Sequence, residues 1–226
     1  MAMTEHENKN DENIIEDMNF KCFNKRLIEK LVDQSSYMTN MFIDILSILK
    51  KYPPAKNENK FIYGKVAEAR IIHWINKIIP CQDLDKCKIH GSEYKNDCEI
   101  SFDENKIKYS IKVSKNGGEP TLINKRNMSS HNVNDCYFII CHIQNEKLYI
   151  FKHNESLTGF LKENHESIKY KSKIFNHLDK DTNNFYKFPN NEKIQHFKEN
   201  ILPKIEEVSI YDRLSKELEN ENSGFY

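Results

Sequence analysis

Residues 95–115, which read KNDCEISFDENKIKYSIKVSK, decide the fold predicted for this 226-residue chain. Apolar and polar residues alternate in both halves of the stretch, and this period of two predicts two β-strands. Residues 103–106, which read DENK, form a suitable four-residue loop between the two strands. The sequence therefore predicts an antiparallel hairpin.

A four-residue loop brings four polar side chains together on the hairpin. Asp97 then faces Lys112, and Glu99 faces Ser110, on the side that the apolar residues do not use. Directly opposed residues have β-carbons about 5 Å apart, so two carboxylates, a hydroxyl and an ammonium form one patch. An ordinary hairpin with charges on its solvated face has the same pattern, and that alternative stays open.

A second signal lies upstream of the hairpin. Residues 62–79 carry apolar side chains at helical spacing, and Pro80 follows as a stop. Glu68 falls inside the apolar stripe of this helix. A carboxylate there is costly to desolvate unless it meets a metal ion, a base or hydrogen-bond donors. Glu68 is therefore a candidate site residue, although a place at the edge of the stripe in contact with water is also compatible.

The polar patch has the groups required for metal-assisted hydrolysis of a phosphodiester. Mg²⁺ prefers oxygen ligands, which Asp97 and the backbone carbonyl of Ile111 can supply. Lys112 beside such an ion would orient or deprotonate the attacking water and stabilise developing negative charge. The sequence thus indicates a candidate Mg²⁺ site on the hairpin.

These residues resemble the PD-(D/E)-x-K nuclease superfamily, in which a helical Glu, an Asp and an acid-x-Lys tripeptide share one metal site. Small type II restriction endonucleases are similar in having Gly-Lys-x-x-Glu in the first core helix and Gly-Ser shortly before the Asp. Asn96 stands where the pattern has Pro, and Ser110 stands where it has the acid. The matching residues, within about 60–152, are GKVAE at 64–68, Gly91, Ser92, Asp97, Ser110, Ile111 and Lys112.

The resemblance implies an α/β fold of the restriction-endonuclease-like kind, with a mixed central β-sheet flanked by helices. It also implies a Mg²⁺-dependent endonuclease that cuts a short specific site in double-stranded DNA. Such targets are often palindromic, which favours a homodimer with two-fold symmetry. Because the hydroxyl of Ser110 is a poorer metal ligand than a carboxylate, another acid is expected to assist. The implied catalytic residues are Asp97, Lys112, Ser110 and Glu68, and the implied metal ligands are Asp97, Glu68, Glu99 and the Ile111 carbonyl.

A polar segment after the hairpin is the predicted DNA contact. The run NGGEP at 116–120 breaks the second strand, and polar residues continue to Asn134. A loop beside a catalytic strand can reach phosphates, and glycines allow close backbone approach, although an ordinary surface loop has the same composition. The predicted DNA-binding residues are Lys115, Asn116, Gly117, Gly118, Asn124, Lys125 and Arg126.

The remaining chain is predicted to complete a single domain. Residues 1–20 are acidic and predicted to be disordered, and residues 21–226 form one nuclease-like domain with a helical C-terminal region at about 192–221. Helices are predicted at 24–33 and from Ser36 to Leu49, and a short helix at 155–161. Residues 136–143 predict a central strand buried on both faces, with His142 as a hydrogen-bonded core residue. Further strands are predicted at 147–152, 168–175 and 184–188.

Composition bounds the class of protein. The net charge is zero, but residues 1–20 and 206–226 are both acidic, so the excess of basic side chains lies between them and fits a polyanionic partner. Six cysteines without a C-x-x-C pair predict reduced thiols. Without a signal peptide or a long apolar run, we expect a cytoplasmic protein that does not enter the membrane. A non-catalytic nucleic-acid-binding protein on the same scaffold, a repair or junction-resolving nuclease, and an interaction protein remain alternatives.

Overall fold

The computed structural model describes residues 5–53, 59–79, 98–102, 105–114, 119–124, 136–165 and 167–209. They form a mixed α/β protein with a five-stranded mixed sheet and several helices, which confirms the predicted α/β class. The chain divides into two compact units, residues 1–34 with 81–187 and residues 35–80 with 188–226. The sequence predicts one domain over 21–226.

The elements follow one another along the chain with these bounds. The helices are α1 (Glu5–Asp33), α2 (Ser35–Lys51), α3 (Asn59–Ile78), α4 (Ile174–Leu178) and α5 (Glu192–His196), with a π-helical turn at Phe197–Ile201. Short 3₁₀ segments lie at Glu155–Phe160, Thr182–Asn184 and Leu202–Lys204. The strands are β1 (Cys98–Phe102), β2 (Asn105–Ser114), β3 (Thr121–Asn124), β4 (Tyr137–His142), β5 (Lys147–Lys152), β6 (Leu161–Glu163), β7 (Ser167–Tyr170) and β8 (Phe185–Lys187).

The five-stranded sheet has the order β1-β2-β4-β5-β8, so β4 is its middle strand. Strands β2 and β4 are parallel, and the other neighbours are antiparallel. Phe138 and Ile140 point to one face of β4 and Ile139 and Cys141 to the other, and all four are at most 1% exposed. The prediction of a central strand buried on both faces is confirmed, and so is the neighbouring strand at 147–152.

A second sheet and α4 cover one face of the large sheet. The small sheet has the order β3-β7-β6. The shared apolar cluster contains Phe138, Ile140, Tyr149 and Phe151 from the large sheet, Leu157 from a 3₁₀ segment, Ile168 and Tyr170 from β7, and Ile174, Phe175 and Leu178 from α4. The face of the large sheet that carries Phe138 and Ile140 is therefore dry over β4 and β5.

Helix α1 packs on the opposite face. The Phe20 ring lies 5.0 Å from the Tyr137 ring, and the buried Asn24 side chain donates to the carbonyl oxygens of Ile150 (2.8 Å) and Asn183 (2.6 Å). The helix already begins at Glu5 and so covers most of the acidic segment predicted to be disordered. Its described apolar contacts begin only at Phe20, and helix propagation from an anchored segment costs far less than nucleation. Weak helical periodicity before that residue therefore does not predict disorder.

The second unit is a helical body. The apolar residues of α2 that show helical spacing, from Met38 to Leu49, are buried as predicted. Trp74 of α3 donates from Nε1 to Asp44 Oδ2 on α2 at 2.8 Å. Asn191 caps α5 by accepting from the Ile194 amide at 3.0 Å, and its amide donates to Thr39 at 2.9 Å. Polar side chains thus fix the ends and contacts of these helices.

Three predicted elements differ from the structure. Strand β3 lies within the segment predicted as a polar loop, where it pairs with β7. Residues 168–175 are a strand only to Tyr170, and α4 begins at Ile174, because the apolar side chains change from strand to helical spacing there. Residues 205–209 are not helical. For short segments such as these, tertiary packing determines whether a strand, a helix or a loop forms, and a single sequence does not contain that information.

Candidate functional site

The predicted hairpin forms, but with a tighter turn. Phe102 pairs with Asn105, so two residues separate the strands instead of four, and Glu99 faces Lys108 instead of Ser110. The predicted register is wrong by two residues because strand pairing continues through Ile100 and Ile107, which face each other. A shift of two leaves every side chain on its face. Glu99 and Ser110 therefore still share a face, as diagonal neighbours.

The tripeptide Ser110-Ile111-Lys112 lies on β2 and pairs with β4. It follows Tyr109, the last β2 residue that pairs with β1 in the described part of the chain. Ser110 is 6% exposed, Ile111 is fully buried and Lys112 is half-buried. Across the parallel pair, Ser110 faces Phe138 and Lys112 faces Ile140. This face is polar on the hairpin, as expected, but it carries the apolar side chains of Phe138 and Ile140 on β4. The polar residues of β2 border the apolar cluster, which lowers the local dielectric constant and strengthens electrostatic interactions.

The ammonium of Lys112 is held at the backbone. Its Nζ donates to the carbonyl oxygen of Ile111 at 2.8 Å. This is the oxygen predicted to bind a metal ion, so a positive charge already lies beside it. The Lys112 ammonium therefore occupies one acceptor position of this carbonyl.

Glu68 lies in the second unit. It is half-buried on α3, next to the buried Ala67 and three residues before the buried Ile71. Glu68 is therefore partly buried, at the edge of the apolar stripe. This position matches the open alternative in which the stripe does not enclose Glu68.

Of the residues predicted to bind DNA, the structure describes only Asn124. Asn124 ends β3, where its backbone pairs with Ser167, so it is part of a strand and not of a loop. Among the described residues, no three His, Cys, Asp or Glu side chains form a group that could hold a metal ion. Outside the described residues lie Gly91, Ser92, Asp97, Lys115, Asn116, Gly117, Gly118, Lys125 and Arg126.

His142 is a hydrogen-bonded core residue, as predicted. It is 2% exposed, and its Nδ1 accepts from the Asn145 amide at 3.1 Å. Burial is the main cause that lowers the pKa of His142. Because a backbone N–H can only donate, Nδ1 carries no proton and the neutral ring keeps its proton on Nε2.

A polar cavity of about 340 Å³ opens beside His142. Strands β2 and β4 run parallel and end together, because Ser114 faces His142 and the Ile143 amide donates to the Ser114 carbonyl at 2.9 Å. No sequence pattern predicts this cavity, because its walls come from two separate segments of the chain. The lining residues are His142, Gln144, Asn145, Ser172, Lys173, Phe175 and Asn176.

A chain of hydrogen bonds supports the cavity wall. Asn145 Nδ2 lies 2.9 Å from the Tyr149 hydroxyl, which donates to Asp179 Oδ1 at 2.9 Å. Lys147 Nζ is 2.7 Å from the same carboxylate oxygen. Burial is the main cause that raises the pKa of Tyr149, so its hydroxyl stays protonated and keeps donating. These hydrogen bonds fix the side-chain amide of Asn145. Its Oδ1 atom takes no part in them.

None of the four described cysteines, Cys22, Cys98, Cys136 and Cys141, forms a disulfide bond. Within the described part of the chain, no helix combines the length and apolarity needed to cross a membrane. No family model, curated protein or solved structure matches this chain. A functional interpretation therefore depends on the residues of the site.

Proposed function

We propose that this protein is a Mg²⁺-dependent DNA endonuclease with a PD-(D/E)-x-K-type site and a restriction-endonuclease-like fold. One observation carries the proposal. Ser110, Lys112 and Glu99 share one face of adjacent strands, with the Lys112 ammonium 2.8 Å from the Ile111 carbonyl. Asp97 directly precedes β1 in the chain.

The donor set suits Mg²⁺ because it consists of oxygen atoms. Asp97, the Ile111 carbonyl and Glu99 would hold the ion, which would supply an acidified water and neutralise phosphate charge. Glu99 is favoured for the second carboxylate, since its strand pairs directly with β2.

The chain's own residues supply the other steps. Lys112, half-buried beside the apolar cluster, orients the attacking water and offsets the negative charge that develops on the phosphate. Ser110 holds the acid position of the tripeptide, where its hydroxyl can donate a hydrogen bond or accept one. Burial of both residues at the edge of the apolar cluster limits competing water.

Double-stranded DNA is the proposed substrate, cut at a short specific site as in type II restriction enzymes. The excess of basic side chains between the acidic ends supports a polyanionic partner. Lys115 to Gly118 and Asn124 to Arg126 are proposed as contacts to the phosphate backbone. A homodimer would match a palindromic site.

A non-catalytic DNA-binding protein is the second candidate. The observation in its favour is that the Lys112 ammonium donates to the Ile111 carbonyl and so occupies one acceptor site that a metal ion would use. The hydroxyl of Ser110 at the acid position also favours this candidate, because it is a poorer metal ligand than a carboxylate. In this case the protein binds DNA but has no metal-dependent activity.

The deciding experiment uses the full chain and a mixed-sequence supercoiled plasmid. We expect nicking or linearisation with Mg²⁺ or Mn²⁺ and none with EDTA, followed by sequencing of the ends. Asp97→Ala should abolish cutting while DNA binding in Ca²⁺ stays within a few fold of the original chain. Asp103→Ala, which removes the same charge from the two residues between β1 and β2 in the sequence, is the matched control and should still cut.

Two outcomes contradict the nuclease proposal. If the protein binds DNA with strong salt dependence but leaves every plasmid intact, the binding protein is the correct candidate. If Asp97→Ala and Asp103→Ala retain the same activity, the cutting comes from a different site.

A further inference from the structure

We propose that the 340 Å³ cavity beside His142 binds a nucleotide of the DNA strand next to the phosphodiester that is cut. This inference rests on the proposed function. The volume falls within the roughly 300–1,000 Å³ of pockets that hold small ligands.

The chemistry of the lining favours a nucleotide. Among the described residues, the lining contains Lys173, the hydroxyl-bearing Ser172 and three amide side chains, and no carboxylate. The Lys173 ammonium also lies 5.9 Å from the centre of the Phe160 ring. An ammonium and a hydroxyl suit a phosphate. Amide groups both donate and accept, and Asn or Gln pairs with the edge of a base in this way. The cavity therefore suits a ligand that combines an anion with a polar planar edge.

The lining is built before any ligand binds. The Asn145 amide is fixed by Tyr149, which is fixed in turn by Asp179. His142 accepts the Asn145 backbone N–H, and Glu146 takes the left-handed conformation (φ 52°) that closes the turn. Preorganised groups lose less entropy on binding. His142 and Asn145 are therefore in place before a ligand binds, whereas Gln144, Ser172, Lys173 and Asn176 are exposed.

The cavity borders the face of the sheet that carries the proposed catalytic lysine. Lys112 faces Ile140, and Ser114 faces His142, so His142 and Lys112 are diagonal neighbours. The β-carbons of two such diagonal neighbours are about 7–8 Å apart. Successive nucleotides of one DNA strand are about 3.4 Å apart along the helix axis. A strand with its phosphate at Lys112 would thus reach the cavity within about two nucleotides.

Lys173 provides the first test, because it is exposed and its removal should not affect folding. Binding of a fluorescent 20-base-pair duplex to the full chain would be measured by anisotropy in Ca²⁺ across salt concentrations. We expect Lys173→Ala to weaken binding roughly three- to tenfold and to lower the salt slope by about one. Lys180→Ala removes an equal charge from an exposed position outside the lining, and should bind like the original chain.

Gln144 and Asn176 provide the second test. Both are exposed in the lining, and their Ala variants should leave the salt slope unchanged because amides release no counterions. In the sequenced ends of cut plasmid, we expect a relaxed base preference at one or two positions beside the cut.

The outcomes separate this inference from the proposed function. If the protein never cuts DNA but Lys173→Ala binds weakly and Lys180→Ala binds normally, the cavity is a DNA site and the nuclease proposal fails. If the protein cuts, while Lys173→Ala matches Lys180→Ala and the amide variants keep the original base preference, the cavity inference is overturned. Absence of any DNA binding overturns both.

Discussion

Lys112 donates from Nζ to the carbonyl oxygen of Ile111, its neighbour in the chain, at 2.8 Å. This hydrogen bond restrains the Lys112 side chain against its own strand. The half-buried side chain lies on the face that Ser110 and Glu99 share. This contact is the centre of the proposed catalytic site and leads to the first prediction.

Replacing Lys112 by Met should abolish catalysis while leaving the fold intact. Met fills similar volume but has no ammonium to orient water or offset phosphate charge, and such groups contribute roughly 10²–10⁴-fold. We expect plasmid cutting in Mg²⁺ to fall at least about 100-fold. Lys108→Met removes an exposed charge from the same face of β2 and should cut normally. Equal losses in both variants would point to a general charge effect.

Replacing Ser110 by Asp tests whether the acid position can hold a metal. A carboxylate at a site that is 6% exposed is costly without a counterion, so we expect lower thermal stability in EDTA. Mg²⁺ should recover part of that loss, because binding to the folded state stabilises it. The measurement is the melting temperature with EDTA and with Mg²⁺.

Ser114→Asp is the matched control for that variant. Ser114 lies on the same face of β2 and is 5% exposed, so its Asp variant should lose similar stability. It should gain nothing from Mg²⁺, since Ser114 lies four residues beyond Ser110 on β2, away from the proposed ligand Glu99. Recovery of both variants by Mg²⁺ would show an unspecific effect and contradict the proposed metal site.

His153 should make the protein less stable in acid. The ring is fully buried, Nδ1 is hydrogen-bonded to the Tyr170 hydroxyl and Nε2 has no partner. Burial lowers the pKa of His153 from 6.5 to about 4. Between these values the unfolded chain binds the proton and the folded chain does not, so stability is full above pH 6.5 and is lost as the pH falls toward 4.

Chemical unfolding at pH 8 and pH 5 measures this effect. His153 should account for a loss of about 2 kcal/mol in unfolding free energy between the two values. The double variant His153→Phe/Tyr170→Phe removes both polar partners and should depend less on pH. Some dependence remains, because burial also lowers the pKa of His142. An unchanged slope in the double variant would refute the assignment to His153.

Asn24 should hold helix α1 on the sheet. Its amide donates to the Ile150 carbonyl, one residue beyond Tyr149, where β5 and β8 make their last pair. A second bond reaches the Asn183 carbonyl. Both acceptors are carbonyls, so the amide nitrogen must face them and the Oδ1 atom remains buried without a partner.

Asn24→Ala should therefore lower the unfolding free energy by about 1–3 kcal/mol. The exposed Lys25→Ala on the same helix should change it by less than about 0.5 kcal/mol. Urea unfolding at pH 8 compares the two. If Asn24→Ala is as stable as Lys25→Ala, the two hydrogen bonds contribute nothing to the attachment of α1.

Strong periodicity allowed a large part of the fold to be predicted from local sequence. The nearly continuous apolar run at 136–143 predicted a strand covered on both faces, and the helical spacing from Met38 to Leu49 placed the buried side of α2. The alternation around Ser110 and Lys112 placed both on one face, and a two-residue error in register did not change this. These features depend on the period of side chains along one segment, which the chain alone contains.

Tertiary structure decided everything that requires two segments to meet. The β1–β2 turn depends on Ile100 facing Ile107, and the burial of Ser110 depends on the sheet and helix that cover β4. The cavity beside His142 needs the turn after β4 and the residues before α4, which are far apart in sequence. Hydrophobic burial acts between surfaces, whereas periodicity acts along a chain. A single sequence therefore specifies faces, and only the folded protein specifies which faces meet.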